Sequence, residues 1–389
     1  MIKGIKTRLN PNNKQKTKLL GSAGVARFAY NWAIAKQQEN YKNGNKFLSN
    51  EDLRKEFTKL KQTEEYKWLN NYSNNITKQA IKDACDAFIK FFRGESKYPR
   101  FKSRKISKPS FYVDTDKIQF NETHVKLEKL TTSRKKNKQE LNWIRLCEHG
   151  RIPYGKDAKY INPRVTFDGM NWWISVSIEY PDNNEIPTNE GIGIDLGIEK
   201  LAVISDGNIY KNINKTKEIK RLEKKKKRLQ RKISRKYERG REGNRYKKTK
   251  NIIKLENQLI KLNQRLTNIR HNYSHQKTAE IIKRKPSFVV VEDLNVAGMM
   301  KNRHLSKAVQ EQRFYEFYRQ LQYKSEWNNV KFIVADRFFP SSKLCSKCKN
   351  IKKDLKLSDR EYICDCCGTT LDRDYNASIN LRNYGHEIA

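Results

Sequence analysis

Apolar and polar side chains alternate from the first residues, Ile2-Lys3-Gly4-Ile5-Lys6-Thr7-Arg8-Leu9, which is the two-residue period of a strand with one buried face. Asn10-Pro11-Asn12-Asn13 breaks that pattern, and from about residue 14 to 93 the apolar positions fall mostly at helical spacing. Leu19, Leu20, Val25, Phe28, Tyr30 and Trp32 supply one apolar surface there; Ala80, Ala84, Ala87, Phe88, Phe91 and Phe92 supply another. Strand-like runs return at 110–113, 124–127, 143–146, 164–167 and 172–178. The first strand and these runs predict a small β-barrel or sheet with the helical block inserted into it. A polar linker, Pro181-Asp182-Asn183-Asn184-Glu185, closes this half.

The second half opens on Gly191-Ile192-Gly193-Ile194-Asp195-Leu196-Gly197, then Leu201 to Ser205, a turn at Asp206-Gly207, and Ile209-Tyr210, which reads as a short β-meander. Two long charged helices follow. In the second, Ile252, Leu255, Leu259, Leu262, Leu266, Ile269 and Tyr273 keep a heptad-like spacing that demands a partner helix. The stretch 217–238, with Ile219, Leu222, Leu229 and Ile233 inward, is that partner, and Gly240 and Gly243 fall in the turn. A continuous Phe288-Val289-Val290-Val291 run predicts a central strand buried on both faces, ending at Glu292. A helix over about 306–327, a strand at 330–334, a cysteine cluster and a terminal helix over 374–383 complete the chain.

Charge changes this picture more than size does. The 389 residues are enough for two or three domains. Lys and Arg number 83 against 43 Asp and Glu, a formal +40 with a pI near 9.9. No core needs that excess, and a compact body carrying it repels itself, so the natural partner is a polyanion whose phosphates the cations neutralise. Between 211 and 250 there are 20 Lys and Arg against 4 acids, more one-sided than a merely solvated helix face. Residues 97–105, with Arg100, Lys102, Arg104 and Lys105, are basic and interleaved with aromatics. No apolar run approaches the roughly 18–20 residues of a spanning helix, and the first residues lack the apolar stretch of a signal peptide, so a cytoplasmic protein is expected.

Five of the seven cysteines lie within 345–367. Cys345-x-x-Cys348, fifteen residues, then Cys364-x-x-Cys367-Gly368 is the spacing at which two knuckles place four thiolates around one zinc. Cys366 adjoins Cys367; Cys367 is preferred because it completes the knuckle, with Gly368 free to turn. A closed four-sulfur site leaves no open position, so this zinc is expected to be structural. Cys85 and Cys147 stand alone and read as small core residues.

Asp195, Glu292 and Asp374 are each unremarkable singly, as a strand-end acid twice and as a helix cap. Their placement makes the case. Asp195 lies in an apolar strand flanked by glycines, and Glu292 ends a strand that must be buried, where a carboxylate is costly unless it binds a cation. Three carboxylates converging from two strands and a helix suit a pair of Mg²⁺ ions, which activate water and stabilise the leaving oxygen of a phosphodiester.

These residues resemble the TnpB family, nucleases encoded by bacterial insertion sequences and related to type V CRISPR effectors. The resemblance rests on Gly193-Ile194-Asp195-Leu196-Gly197, Val290-Val291-Glu292-Asp293-Leu294, Ser341-Ser342-Lys343-x-Cys345-x-x-Cys348 and Asp372-Arg373-Asp374-Tyr375-Asn376-Ala377-Ser378. Gly24-x-x-Arg27-x-x-Tyr30-Asn31 and Pro99-Arg100-Phe101-Lys102-Ser103 extend it over nearly the whole chain. It implies a multidomain α/β protein: a RuvC/RNase H-like nuclease domain (185–340 and 371–389) with an inserted zinc ribbon (341–370). It also implies an N-terminal wedge-like β-barrel domain (1–10 and 98–184) with an inserted helical recognition domain (11–97).

The same resemblance places the catalytic acids on Asp195, Glu292 and Asp374, with Asp372 a neighbour of unknown role. It implies a monomer that binds a guide RNA made from the transposon end and cuts double-stranded DNA pairing with that guide beside a short flanking motif. Tyr30, Asn31, Lys78 and Gln79 are expected to contact nucleic acid together with the 97–105 segment. The chain departs from the family pattern at Cys348-Lys349-Asn350, where Cys-Gly is commoner, and stops soon after its last helix. Two rival readings remain: a guide-independent, structure-specific RuvC-type nuclease, and a guided DNA-binding repressor that does not cut.

Overall fold

The computed structural model describes residues 1–131, 140–155, 158–181, 187, 190–243, 245–356 and 358–388. The chain divides into two compact units, Met1–Pro181 and Asp182–Ala389. Residues 182–185 of the expected linker lie outside the described residues.

In the first unit β1 (Ile2–Asn10) leads into α1 (Asn13–Lys42) through a reciprocal cap. The Asn12 side chain accepts from the Gln15 amide nitrogen, and the Gln15 side chain accepts from that of Asn12. α2 (Asn50–Leu60), a 3-10 segment (Glu64–Asn71) and α3 (Asn74–Phe92) follow. Leu19, Ala23, Ala26, Ala29 and Ala33 of α1 are buried in one core with Ala80, Ala84 and Phe88 of α3. Four residues of the expected apolar surfaces lie outside that core: Ala87 and Phe91 are half-buried, and Leu20 and Phe92 are 51% and 64% exposed.

Six strands then return: β2 (Ser110–Tyr112), β3 (Gln119–Phe120), β4 (His124–Lys126), β5 (Trp143–Leu146), β6 (Tyr160–Phe167) and β7 (Trp172–Glu179). Together with β1 they form one antiparallel sheet in the order β2-β6-β7-β1-β5-β4-β3. The first strand of the chain is therefore interior to the sheet, bonded to strands far along the sequence, and the helices are an excursion between β1 and β2. Along β7, Trp172, Ile174, Val176 and Ile178 point to the core in strict alternation. One of the two lone cysteines corrects its expectation. Cys85 is buried on α3, but Cys147 is exposed at the end of β5, its sulfur 3.1 Å from Arg8 Nε.

The second unit is built on a five-stranded sheet of order β10 (Ile209–Lys211), β9 (Lys200–Ile204), β8 (Ile192–Leu196), β13 (Phe288–Glu292) and β14 (Lys331–Ala335). β8 (Ile192–Leu196), β9 (Lys200–Ile204) and β10 (Ile209–Lys211) are the expected meander. α4 (Lys217–Arg239) and α5 (Lys250–Lys283) pack through Ile219, Leu222, Leu262 and Leu266. A two-rung hairpin, β11 (Arg241–Glu242) and β12 (Arg245–Tyr246), occupies the turn between them. α5 runs on past Tyr273 so that Ile281 and Ile282 enter the sheet core.

β13 (Phe288–Glu292) is central and pairs in parallel with β8 and with β14 (Lys331–Ala335). Between β13 and β14 lie α6 (Val296–Lys301), α7 (Ser306–Gln312) and α8 (Phe314–Trp327). The single helix expected over 306–327 is broken at Arg313, which takes a left-handed φ of 58°. Gln312, buried just before the break, donates to the carbonyls of Gly197 and Ile198, and that tie is invisible in the apolar spacing. β15 (Glu361–Ile363) and β16 (Thr370–Asp372) pair within the cysteine-bearing segment, and α9 (Arg373–Ile388) closes the chain.

Candidate active site and metal centre

Parallel pairing sets two of the acids side by side. Ile194 of β8 is level with Val291 of β13, so Asp195 and Glu292, one residue further on, sit level at adjacent strand ends. Alternation sends their side chains to the same face. Ile194, Val289 and Val291 point into the core shared with α5 and α8, while Val290 points to the opposite core, containing Leu381 of α9. Asp195 and Glu292 therefore project toward α9, whose first turn carries Asp374.

Two features bring α9 close. Gly193 has no room for a side chain: a Cβ there would lie 2.1 Å from the Ser378 carbonyl oxygen and 2.4 Å from the Arg382 amide nitrogen. Asp372 supplies the helix cap, its Oδ1 accepting from the amide nitrogens of Asp374 (3.1 Å) and Tyr375 (3.0 Å), while Lys200 donates to its Oδ2 at 2.8 Å. The residue of unknown role in the sequence is thus the cap, and Asp374 is left free to face the sheet.

The three acids line one cavity of about 480 Å³, whose other wall includes Ser341, Lys356 and Arg360 from the cysteine-bearing segment. Burial, then the charges of Asp374 and Glu292, pushes the Asp195 carboxyl up to about 8. Burial, then Asp293, also raises Glu292. Arg373 lies 3.1 Å from Asp374, and Lys200 approaches the same carboxylate at 4.0 Å. Such crowding of negative charge is the electrostatic signature of a cation site. Lys200, Arg373 and Arg360 were missed in the sequence, where nothing marks them among so many basic residues.

Cys345, Cys348, Cys364 and Cys367 bring their sulfurs within 4.8 Å of one another and could hold a metal ion; Cys366 is exposed and outside the group. Both knuckles turn through left-handed residues, Gly368 at φ 67° and Lys349 at φ 62°. Bonds from Thr369 lower the Cys367 thiol to about 6, while Cys348, despite a backbone bond from Asn350, is raised by its bond to Cys367. The cluster is stitched to α9 by two buried amides. Asn376 accepts from the Ser346 amide nitrogen and donates to the Leu344 carbonyl, and Asn380 donates to the carbonyls of Ser341 and Leu344. The helix that presents Asp374 is the one that holds the cysteine knuckle.

The residues expected to contact nucleic acid all lie in the first unit. Tyr30 is buried, with the Lys102 ammonium 3.5 Å from its ring centroid. The Asn31 amide bonds both backbone groups of Lys102. Gln79 donates to Asp83, which takes a two-pronged pair from Arg164, and these residues line a cavity of about 210 Å³ with Arg27 and Lys102. Lys78, Arg100, Arg104 and Lys105 are exposed.

Among the described residues no helix is long and apolar enough to cross a membrane. Three family models match the chain in order: "Helix-turn-helix domain" on residues 1–46, "Probable transposase" on 174–303 and "Cas12f1-like, TNB domain" on 314–381. In this chain the first of these covers β1 and the single long helix α1. A protein of Escherichia coli K12 named "Putative RNA-guided DNA endonuclease InsQ" is 27% identical over 403 residues, covering 100% of this chain and 93% of its own. A Streptomyces pristinaespiralis protein, also named as an RNA-guided DNA endonuclease of that provisional kind, is 29% identical over 379 residues, covering 97% and 88%. The fold is that of the Cas12f1 chain in its complex with guide RNA and target DNA, at a TM-score of 0.60 and 14% identity over 95% of this chain and 82% of that one. These matches fall in order along nearly the whole chain and support a TnpB-family protein.

Proposed function

We propose that this protein is an RNA-guided DNA endonuclease that hydrolyses phosphodiester bonds at Asp195, Glu292 and Asp374. The observation that carries the reading is the meeting of these three acids, from two strand ends and a helix start, in one cavity where their mutual repulsion calls for cations. Three carboxylates around one cavity suit two ions about 3.5–4 Å apart. Hard carboxylate oxygens fit Mg²⁺, which when bound supplies an activated water and stabilises the leaving oxygen. Asp195 and Glu292 hold their side of the site on rigid strand ends, Asp374 closes it from α9, and Lys200 and Arg373 neutralise the helix-side acid. The four cysteines suit zinc in a structural ribbon that fixes α9.

The second unit then corresponds to a RuvC/RNase H-like nuclease domain (185–340 and 371–389) with the ribbon at 341–370. The first corresponds to a wedge-like β domain (1–10 and 98–184) with the helical recognition domain at 11–97. Guide RNA from the transposon end and double-stranded target DNA are the partners, gripped in part through the basic 97–105 segment and the α4–α5 hairpin by a monomer. Base pairing reads the target beside a short flanking motif.

The test is cleavage of a plasmid library by protein purified with its RNA, in magnesium, after that RNA is sequenced. Cutting confined to guide-matched sites, abolished by Asp195→Ala while target binding persists, supports the proposal. Cutting without RNA would indicate a guide-independent nuclease. Target binding without cutting by the unaltered protein would indicate a guided repressor.

A further inference from the structure

His271 and His275 are four apart on α5 and share one face of that helix, their rings 4.4 Å apart between centroids. Glu316 projects from the first turn of α8 and meets His271 Nε2 at 3.1 Å. One ligand atom from each of the three lies within 4.8 Å of the others. Neither the cysteine cluster nor the acid cavity uses any of these residues.

We propose that His271, His275 and Glu316 form a further metal site for a borderline transition ion such as zinc, cobalt or nickel, clamping α5 to α8. Two imidazole nitrogens and one carboxylate oxygen are the donor set such ions prefer, and magnesium does not. Arg319 and Gln320 both donate hydrogen bonds to the Glu316 carboxylate. Those same bonds orient the carboxylate, with Arg319 at 2.8 and 3.1 Å and Gln320 at 2.9 Å, in the manner of outer partners that position a metal ligand.

The charged groups around the imidazoles are Arg313, Arg319 and Lys324, with Glu316 the acid. That net positive setting disfavours a hard, purely electrostatic cation and leaves nitrogen coordination as the attraction. His271 is half-exposed, which gives an entry path and room for water at a fourth position. The ion would tie the basic α4–α5 hairpin to the helix whose Phe317 and Leu321 are buried in the sheet core.

The experiment adds cobalt(II) to the full-length, tag-free chain carrying zinc in its ribbon, in excess magnesium to saturate the carboxylates. Expected is one tightly bound equivalent with visible d–d absorption and no thiolate charge-transfer band. His271→Gln and His275→Gln should each abolish it while ribbon zinc and the melting temperature stay unchanged. Absence of a stoichiometric equivalent, a thiolate band, or cobalt binding that survives both substitutions would overturn the proposal. Should His275→Gln fail to fold, the half-exposed His271→Gln decides alone.

Discussion

Replacing Asp195 by Asn isolates what the candidate active site stores by burying this carboxyl and crowding it against Asp374 and Glu292. An unfolded aspartate loses its proton near 3.8, whereas this carboxyl holds it up to about 8. A carboxyl raised on folding destabilises the native state progressively as pH climbs between those two values, at about 1.4 kcal/mol per pH unit, and fully above the higher one. At about pH 7.5 the penalty reaches a ceiling of about 5 kcal/mol, and at about pH 5 about 2 kcal/mol. Asn removes the charge but leaves an amide wanting partners, at a cost of about 1–3 kcal/mol.

In magnesium-free buffer with ribbon zinc retained, Asp195→Asn should therefore be the more stable protein at about pH 7.5, by up to about 2–4 kcal/mol. For a unit of about 200 residues that is a rise of up to roughly 4–16 °C in melting temperature, shrinking toward zero at about pH 5. Magnesium should close the gap by stabilising the unaltered protein and not the variant, since a ligand stabilises only the state it binds. Thermal denaturation at the two pH values, with and without magnesium, reads all of this. A variant less stable by the same margin at both pH values would show that Asp195 is held by native partners and not by unrelieved repulsion.

Other changes test the frame around the site. Gly193→Ala drives a Cβ into the backbone of α9 and should destabilise the second unit by about 3 kcal/mol or more in denaturant unfolding. Gly24→Ala, in α1 with nothing within 4 Å of the new Cβ, should stabilise the first unit by about 0.5–1 kcal/mol in the same measurement. Arg164→Ala breaks the paired bonds to Asp83 and should cost about 2 kcal/mol at neutral pH. Burial raises Asp83, but bonds from Arg164 and Gln79 overcome it and hold the carboxyl below its ordinary 3.8, so denaturation midpoints of the two proteins should converge as pH falls through that folded value. Lys349→Gly relieves a left-handed backbone at the first knuckle, worth about 1 kcal/mol, and should slow zinc release to a chelator about fivefold.

The pattern of residues was enough to fix what is local or repetitive. Alternation marked β1 and β7, the heptad spacing marked the α4–α5 hairpin, and the continuous valines marked β13 as central. Two C-x-x-C pairs identified the four cysteines because ligand spacing within a knuckle is itself local. What no spacing could convey is what depends on side chains meeting across the chain. The break at Arg313 comes just after Gln312, which reaches the β8–β9 turn. Asp372 is a cap and Asp374 a site residue only because α9 begins between them and lies against Gly193. Tyr30 and Asn31 prove to be tied to Lys102, far along the sequence, and Cys147 is exposed where a small apolar residue was expected to be buried. The sequence alone determined which segments become strands, helices and knuckles, because backbone propensity and apolar period act over neighbouring residues. Only the tertiary structure decided how the three acids come to share a cavity, because parallel register and helix packing bring together groups that no local rule relates.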